Sequence, residues 1–357
     1  MKIGVALLNF GGPQRPEELV PFLTELLTDV LPGPMFVKRR VAPLIARSRS
    51  KVVGPNYEEI GWSPLVDIHH QQLAALRAQL PDDLIVASGM MFTPPTMDHC
   101  VQDLLDQGVD TVIAISMFPH YSIATTQTAY SFFHEALTRA GKPDLPVHWV
   151  PAYFDHPDYI SALGDTILEG AESLEGSGPI DLLFTPHGLP LSFVRRGDPY
   201  PSQIRESVRR VIAHLQWTDP WHLGWQSRLG PVKWLSPSTP DMLEALAEKG
   251  RDRVLLVPIS FVCDHIETLH EIDIEYRDLA RELNIAHFGR APSLGLNPAF
   301  IRCLAERIGD ARRHMSRYRC VRCLLPKDDT HRRRRRCEAC HFDTPAYLSQ
   351  SRYPSGP

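Results

Sequence analysis

Several features are missing from this chain, and their absence limits what it can be. It has no apolar run long enough to cross a bilayer, and its first apolar run, residues 3–8, leads into a Gly-Gly-Pro turn instead of a secretory cleavage site. It also has no cationic excess: the net charge is −4, so the molecule as a whole is not built to bind polyanions. We therefore expect a cytoplasmic protein with no nucleic-acid partner, capable at most of transient contact with a membrane surface. Nothing in the sequence indicates an oligomeric state.

Cysteine is scarce in the body of the chain. Cys100, Cys263 and Cys303 lie among apolar neighbours, which predicts small buried hydrophobic residues. The other four form two Cys-x-x-Cys pairs near the C-terminus, namely Cys320, Cys323, Cys337 and Cys340. In a cytosolic protein such pairs indicate a metal more than disulfides. Tetrahedral zinc and a [2Fe–2S] cluster both suit four thiolates, and the choice stays open.

The chain of 357 residues exceeds a typical single core. Short apolar runs alternate with amphipathic helical patterns, which predicts an α/β fold with parallel sheets. We expect two halves, residues 1–160 and 161–315, followed by a Cys-rich tail at 316–357. The predicted strands are 3–8, 84–87, 111–118, 147–150, 181–185, 222–226, 254–262 and 286–288. The predicted helices are 17–28, 67–79, 97–107, 124–140, 157–175, 202–215, 240–249, 266–283 and 298–314, and the last could join either half.

The segment 254–276, VLLVPISFVCDHIETLHEIDIEY, is the most informative of these. It begins as an apolar run typical of a strand buried on both faces, then becomes a helical pattern. Glu267, Glu271 and Glu275 recur every four residues, so a helix would align them on one stripe beside His265. These are ligand types for a divalent metal. Alternatively, Asp264-x-x-Glu267 forms a capping box and the other acids form a solvated face.

A second segment places a histidine at the end of a strand. The predicted strand 181–185 is followed by His187-Gly188. Ligands of open α/β sheets bind outside the carboxyl ends of the strands, and Gly188 would allow a sharp turn that leaves the imidazole uncovered. A lone histidine is more often structural. Here, however, His187 and Glu267 would each follow a strand of the same half, so both could face one cleft.

Several segments, in the same order along the chain, resemble the ferrochelatase pattern. They are LNFGGP at 8–13, YEEIGWSPL at 57–65, FPHYS at 118–122, HGLP at 187–190, RGDPY at 196–200, WQSRLGPVKWL at 225–235, VPISFVCDHIETLHE at 257–271 and RAPSL at 290–294. The similarity is collinear over most of the chain, so it is far more specific than any single motif.

The resemblance implies a type II chelatase of heme biosynthesis, with two Rossmann-like halves and a porphyrin cleft between them. Its reaction would insert Fe²⁺ into protoporphyrin IX or coproporphyrin III with release of two protons. The alternatives are a chelatase for another tetrapyrrole or metal, and a heme carrier without turnover. From a different class, a zinc-ribbon nucleic-acid-binding protein on an α/β scaffold would account for the basic tail.

The resemblance also implies roles for individual residues. His187 and Glu267 resemble the pair that handles iron and the pyrrole protons, while Glu271 and Glu275 resemble an acidic path leading away from it. Asp264 and His265 match residues next to the site. The matches to substrate-binding positions are Phe10, Ser63, Tyr121 and Trp234. A further basic group that could face the porphyrin propionates comprises Arg39, Arg40, Arg47 and Lys51.

The chemistry of the reaction explains these residue types. Metal insertion exchanges two pyrrole protons for one cation, so the site needs a proton acceptor of near-neutral pKa, for which imidazole is the natural choice. One nitrogen and one oxygen ligand hold Fe²⁺ transiently, whereas a closed cage would retain it. Residue types leave open which of His187 and Glu267 takes the proton. We expect the two side chains to face each other across a gap that admits a tetrapyrrole.

Overall fold

The computed structural model of the chain describes residues 1–228, 230 and 232–315. The predicted metal site at the four tail cysteines lies outside these residues. Within the described residues, no helix combines the length and the apolar character needed to span a bilayer.

Two four-stranded parallel sheets form the framework, which confirms the predicted α/β class. The first contains β1 (Ile3–Asn9), β2 (Leu84–Met90), β3 (Thr111–Ser116) and β4 (Val147–Val150) in the order β2-β1-β3-β4. The second contains β5 (Asp181–Phe184), β6 (Trp221–Leu223), β7 (Arg253–Val257) and β8 (His287–Arg290) in the order β6-β5-β7-β8. The two sheets therefore share one topology, although no repeat is visible in the sequence.

Helices cover the sheets and connect successive strands. Those of the first half are α1 (Pro16–Val30), α2 (Met35–Glu59), α3 (Leu65–Arg77), α4 (Met97–Asp106), a π-helical turn π1 (Ile123–Gln127) and α5 (Thr128–Arg139). The remainder are α6 (Pro157–Ser173), α7 (Leu191–Arg195), α8 (Tyr200–Leu215), α9 (Thr239–Glu248), α10 (Ile266–Leu269), π2 (Glu271–Tyr276), α11 (Arg277–Glu282) and α12 (Pro298–Arg313).

The central strands are buried because their residues are apolar on both faces, as expected for parallel strands covered by helices. Every residue of β1, β3 and β5 is buried. One apolar cluster runs from β1 through β5 and β7 to α12, so the two sheets share packed side chains. Helix α12 packs against α6 and also against α3, β3 and β4 of the first half. The division at residue 160 stays a prediction.

Several elements differ from the sequence-based prediction. Strand β7 ends at Val257, not at residue 262, because Pro258 has no N–H to continue the ladder. The predicted helices 124–140 and 266–283 are each divided by a π-helical turn, the first into π1 and α5 and the second into α10, π2 and α11. Helix α2 was not predicted, and it contains Pro43 and Pro55, residues that normally interrupt helices.

Candidate active site

His187 and Glu267 lie next to each other at the carboxyl ends of adjacent strands. Strands β5 and β7 pair directly, with Phe184 opposite Val257. His187 follows β5, and Glu267 lies in the first turn of α10. Their Nε2 and Oε1 atoms are 3.5 Å apart, and the side chains are 39% and 25% exposed. The expected gap between them is therefore wrong: a tetrapyrrole can lie against this pair but not between its members.

The backbone around His187 is fixed on both sides. Its N–H donates to Ser260 Oγ at 3.2 Å, and its carbonyl accepts from the Tyr200 hydroxyl at 3.2 Å. Among the described residues, the buried Nδ1 atom of the ring makes no hydrogen bond. The imidazole is thus held in place through its backbone, while Nε2 points at Glu267.

Gly188 allows two groups to approach the strand end closely. A Cβ atom at this position would lie 2.7 Å from the carbonyl oxygen of Gln226 and 3.2 Å from the Trp234 ring. The Trp234 ring is nearly parallel to that of His187, at an interplanar angle of 7° and a centroid distance of 6.5 Å. The glycine is therefore needed for close packing at the site, which is a different reason from the sharp turn expected.

Glu267 lies between two imidazoles. Its Oε2 atom is 3.7 Å from His265 Nε2, on the side away from His187. Burial alone would raise the pKa of Glu267, but the charge of a protonated His187, and then the hydrogen bond and charge of His265, lower it to about 2. The ring of Phe261 lies 4.6 Å from that of His265 and 6.5 Å from that of His187. Glu267 is therefore an ionised carboxylate near neutral pH, bordered by an apolar ring.

A tyrosine of the first half approaches this carboxylate. Tyr57 on α2 is buried and stacks on Trp62 at a centroid distance of 5.9 Å. Burial and then the negative charge of Glu267 raise the pKa of Tyr57. Tyr57 was not among the predicted site residues, although it is the first residue of the YEEIGWSPL segment. The charge of Glu267 thus affects a residue of the first half, and a porphyrin cleft between the halves stays a prediction.

Glu271 is held by four donors. Its oxygens accept hydrogen bonds from the Ser227 N–H at 2.7 Å, the Ser227 hydroxyl at 2.6 Å, Gln226 Nε2 at 3.3 Å and the Tyr276 hydroxyl. Burial and then the charge of Glu267 raise the pKa of Glu271 against the opposing effect of these bonds. Glu271 is therefore a fixed carboxyl group that takes up a proton more readily than an exposed glutamate.

The carboxylate stripe is not the regular one expected from a single helix. The carbonyl of His270 accepts from both Ile274 N and Glu275 N at 3.0 Å, which widens the turn at π2. Glu275 contacts His270 Nδ1 at 3.3 Å, and the other ring nitrogen lies 3.3 Å from Glu59 on α2. Glu275 therefore points toward the first half along this contact.

Asp264 is engaged outside the pair. It accepts hydrogen bonds from Arg290 at 3.0 Å, Ser293 at 2.7 Å and Thr268 at 3.0 Å. The N-cap of α10 is His265, whose N–H donates to Thr268 Oγ1 at 3.0 Å. The alternative capping box of Asp264 with Glu267 is therefore wrong, because the Asp264 carboxylate binds Arg290 instead.

The four predicted substrate-binding residues are in different surroundings. Trp234 contacts His187, as described. Phe10 is partly buried and packs edge-on against Phe92 at 4.8 Å. Ser63 is buried, and Tyr121 is buried with its hydroxyl donating to a glutamine of π1 at 2.7 Å. Their contact with a substrate stays a prediction.

One further group in the described residues has metal-ligand atoms close together. Atoms of His156, Asp158 and Glu306 lie within 4.8 Å of one another. Asp158, however, is paired with Arg302 at 3.2 Å, and the charge of Arg307 is among the effects that lower the pKa of His156. Two arginines beside the cluster oppose a cation, so this group is better explained as a surface ion-pair network.

Comparison with known sequences shows the family of the chain. The ferrochelatase family model matches residues 2–312. The ferrochelatase of Geobacter metallireducens is 42% identical over 314 residues, which are 87% of this chain and 98% of that protein. The ferrochelatase of Synechococcus elongatus is 38% identical over 317 residues, which cover 85% and 81% of the two chains.

Comparison with solved structures supports the same fold. The sirohydrochlorin chelatase of Bacillus subtilis subspecies spizizenii in complex with cobalt superimposes with a TM-score of 0.55 over 89% of this chain and 99% of that one, at 9% identity. At this identity the likeness shows the fold alone. The family model and the relatives that match most of the chain show that the chain belongs to the ferrochelatase family.

Proposed function

We propose that His187 and Glu267 form the centre at which this chain inserts ferrous iron into a porphyrin. Ferrochelatases insert iron into porphyrin in heme biosynthesis, and family membership gives this chain that activity. The observation that carries the residue assignment is the 3.5 Å contact between two accessible side chains at adjacent strand ends. Nitrogen and oxygen ligands with open positions suit a ferrous ion that must be released into the product.

The geometry of the pair supports a division of roles. His187 is the more exposed of the two side chains, so we assign the pyrrole proton to its imidazole. Glu267, 3.5 Å away, then stabilises the imidazolium and attracts the incoming cation. The imidazolium formed on His187 and the incoming Fe²⁺ would thus both lie beside the negative charge of Glu267.

Glu271 and Glu275 would carry protons away from the pair. The pKa of Glu271 is raised by burial and by the charge of Glu267, and hydrogen-bond donors hold its carboxyl group in place. Glu271 can therefore accept a proton released at the pair. Glu275 contacts His270, which contacts Glu59 on α2, and both of these glutamates are more than half exposed. We infer that protons pass from Glu271 to Glu275 and from there to solvent.

Trp234 would form one wall for the macrocycle. Its ring centroid lies 6.5 Å from that of His187, so a tetrapyrrole packed against the indole would lie beside the imidazole. A site that favours a bent porphyrin lowers the insertion barrier, because bending exposes the nitrogen lone pairs. Phe10, Ser63 and Tyr121 remain the predicted substrate contacts of the first half.

An anaerobic insertion assay tests this function. The purified protein is mixed with Fe²⁺ and either protoporphyrin IX or coproporphyrin III, and the absorbance of the metallated product is followed. We expect turnover with at least one porphyrin, and the ratio of kcat/KM values identifies the preferred one. Absence of product from both, with porphyrin binding intact, would contradict the assignment.

The α1–α2 region would contact an anionic membrane surface transiently. It exposes large apolar side chains, namely Val30, Met35, Phe36, Val37, Val41, Leu44 and Val52. Among them lie exposed cations, namely Arg39, Arg40, Arg47, Arg49 and Lys51. Apolar and basic side chains on one surface favour insertion at an anionic interface.

Vesicle binding tests this contact. Cosedimentation with phosphatidylglycerol vesicles should weaken in Phe36→Asp and persist in Leu168→Asp, a comparably apolar exposed position on α6. Equal binding by both variants would contradict the membrane contact. A rise in porphyrin KM for Arg40→Gln with vesicle binding unchanged would assign this cation to the porphyrin propionates instead.

Metal binding by the four tail cysteines and location in the cytoplasm stay predictions from the sequence. Metal analysis with an ultraviolet–visible spectrum of the purified chain would distinguish a coloured iron–sulfur cluster from colourless zinc, and absence of both would exclude the predicted tail site.

A further inference from the structure

Arg290, at the end of β8, is a nearly buried cation between two carboxylates. Its side chain is 11% exposed. Nη1 donates to Asp264 at 3.0 Å, while Nε and Nη2 donate to the two oxygens of Asp273 at 2.9 and 2.8 Å. Paired N–H donors on one carboxylate are the strongest and most directional form of this contact, and only arginine offers a third donor for the other acid.

The two aspartates lie on either side of Glu267 in the chain. Asp264 precedes α10, and Asp273 lies within π2, so one guanidinium connects both ends of the segment that carries Glu267 and Glu271. The connection extends through Thr268, whose hydroxyl donates to Asp264 and accepts from the N–H of His265. Arg290 is thus linked to the backbone N–H of His265, two residues before Glu267.

This segment needs support from outside. Helix α10 has only four residues, and the π-helical turn that follows is a geometry that proteins rarely adopt without tertiary contacts. We propose that Arg290 is a positioning residue for metal insertion: by holding Asp264 and Asp273 together, it keeps the Glu267 carboxylate within 3.5 Å of the His187 imidazole. The inference rests on the proposed role of that pair.

Steady-state kinetics of Arg290→Lys test the role. Lysine retains the charge but cannot bind both aspartates in the same geometry. A displacement of about 1 Å at a reacting group costs roughly a hundredfold in rate, so we expect kcat to fall about 10- to 100-fold. The porphyrin KM and the porphyrin affinity from fluorescence quenching should change by less than about threefold, because Arg290 acts through Glu267. A normal kcat, even with a lowered melting temperature, would overturn the proposal.

Two other variants keep the test decisive. Asp273→Asn serves as the test if Arg290→Lys does not fold. It retains the Arg290–Asp264 pair, so we expect a smaller fall in kcat and an unchanged porphyrin KM. Arg281→Lys is the matched control, because Arg281 pairs with Asp278 at 2.8 Å on α11 with both side chains largely exposed. Its kcat should equal that of the unmodified chain. An equal loss in Arg281→Lys, or no loss in Asp273→Asn, would overturn the proposal.

The Glu267→Gln background distinguishes this inference from the proposed function. When Glu267 is already replaced, Arg290→Lys should lower the residual kcat by less than about twofold, because its target is gone. The full 10- to 100-fold loss in that background would show that Arg290 acts independently of Glu267. Normal activity of Glu267→Gln itself would instead contradict the proposed function.

Discussion

The two halves have one strand order but use histidine in opposite ways. In the first half, His69 contacts Asn9 at the end of β1, and His120 after β3 contacts Ser207 at 3.0 Å. Both rings are buried, and burial lowers the pKa of each to about 3. In the second half, His187 follows β5, the strand that corresponds to β1, and its accessible side chain lies 3.5 Å from the Glu267 carboxylate.

This difference shows that a position near a strand end does not by itself make a histidine a candidate base. A buried imidazole with a hydroxyl partner stays neutral, since no nearby anion offsets the cost of burying its charge. An accessible imidazole beside a carboxylate can contact a bound substrate and exchange a proton with it. The same topology thus provides a structural histidine in one half and a candidate base in the other.

The largest effect is expected from His187→Ala. Loss of a general base typically costs 10²- to 10⁴-fold, so we expect kcat to fall by about a thousandfold, with little change in melting temperature because the side chain is accessible. His120→Gln replaces a buried histidine of the first half and should retain kcat within about threefold while losing stability. Comparable kcat values for the two variants would remove the distinction between the halves.

Glu267→Gln should have the next largest effect. The amide retains the shape but neither stabilises an imidazolium nor attracts Fe²⁺, so we expect kcat to fall by about a hundredfold. Glu282→Gln on α11 replaces an exposed glutamate and serves as the control. Turnover of the Glu267 variant at the rate of this control would show that the carboxylate is not part of the reaction.

The buried histidines predict how stability depends on pH. Folding lowers the pKa of His120 from 6.5 to about 3, so between these values the unfolded chain binds the proton preferentially. Its contribution to stability is therefore present above pH 6.5 and is lost as the pH falls toward 3. At pH 5 relative to pH 7 the loss is about 2 kcal/mol for this residue.

Urea unfolding at the two pH values measures this loss. The difference in unfolding free energy between pH 7 and pH 5 should shrink by about 2 kcal/mol in His120→Gln. It should be unchanged in His70→Gln, which replaces an exposed histidine. An equal pH dependence in all three proteins would mean that His120 is not held neutral by burial.

The smallest effect is expected from Glu271→Gln. If Glu271 takes protons from the pair, its loss should slow kcat by about tenfold and leave the porphyrin KM unchanged, because proton transfer by a positioned group follows substrate binding. An unchanged kcat would confine Glu271 to anchoring Ser227 and Tyr276.

The strands of both halves could be predicted because their apolar runs are continuous and bounded by turn residues. Helix α2 could not, since Pro43 and Pro55 interrupt its pattern and its packing against α1 stabilises it nonetheless. The π2 turn escaped prediction for a similar reason: contacts such as Arg290 with Asp273 lie far apart in sequence.

For the site, the sequence indicated His187 and Glu267 as residues at strand ends but gave a wrong separation between them. Their contact depends on the direct pairing of β5 with β7, which follows from the sheet order and not from either segment. Burial likewise distinguishes His120 from His187, although each follows a strand and lies in a matching family segment.

A double-mutant cycle of His187→Ala and Glu267→Gln tests the central claim most directly. Groups that act as one unit lose their effect together, so the double variant should have a kcat within about threefold of the slower single variant. If the two losses multiply instead, to about 10⁵-fold, the residues act independently, and the account of an imidazole and a carboxylate working as a pair is contradicted.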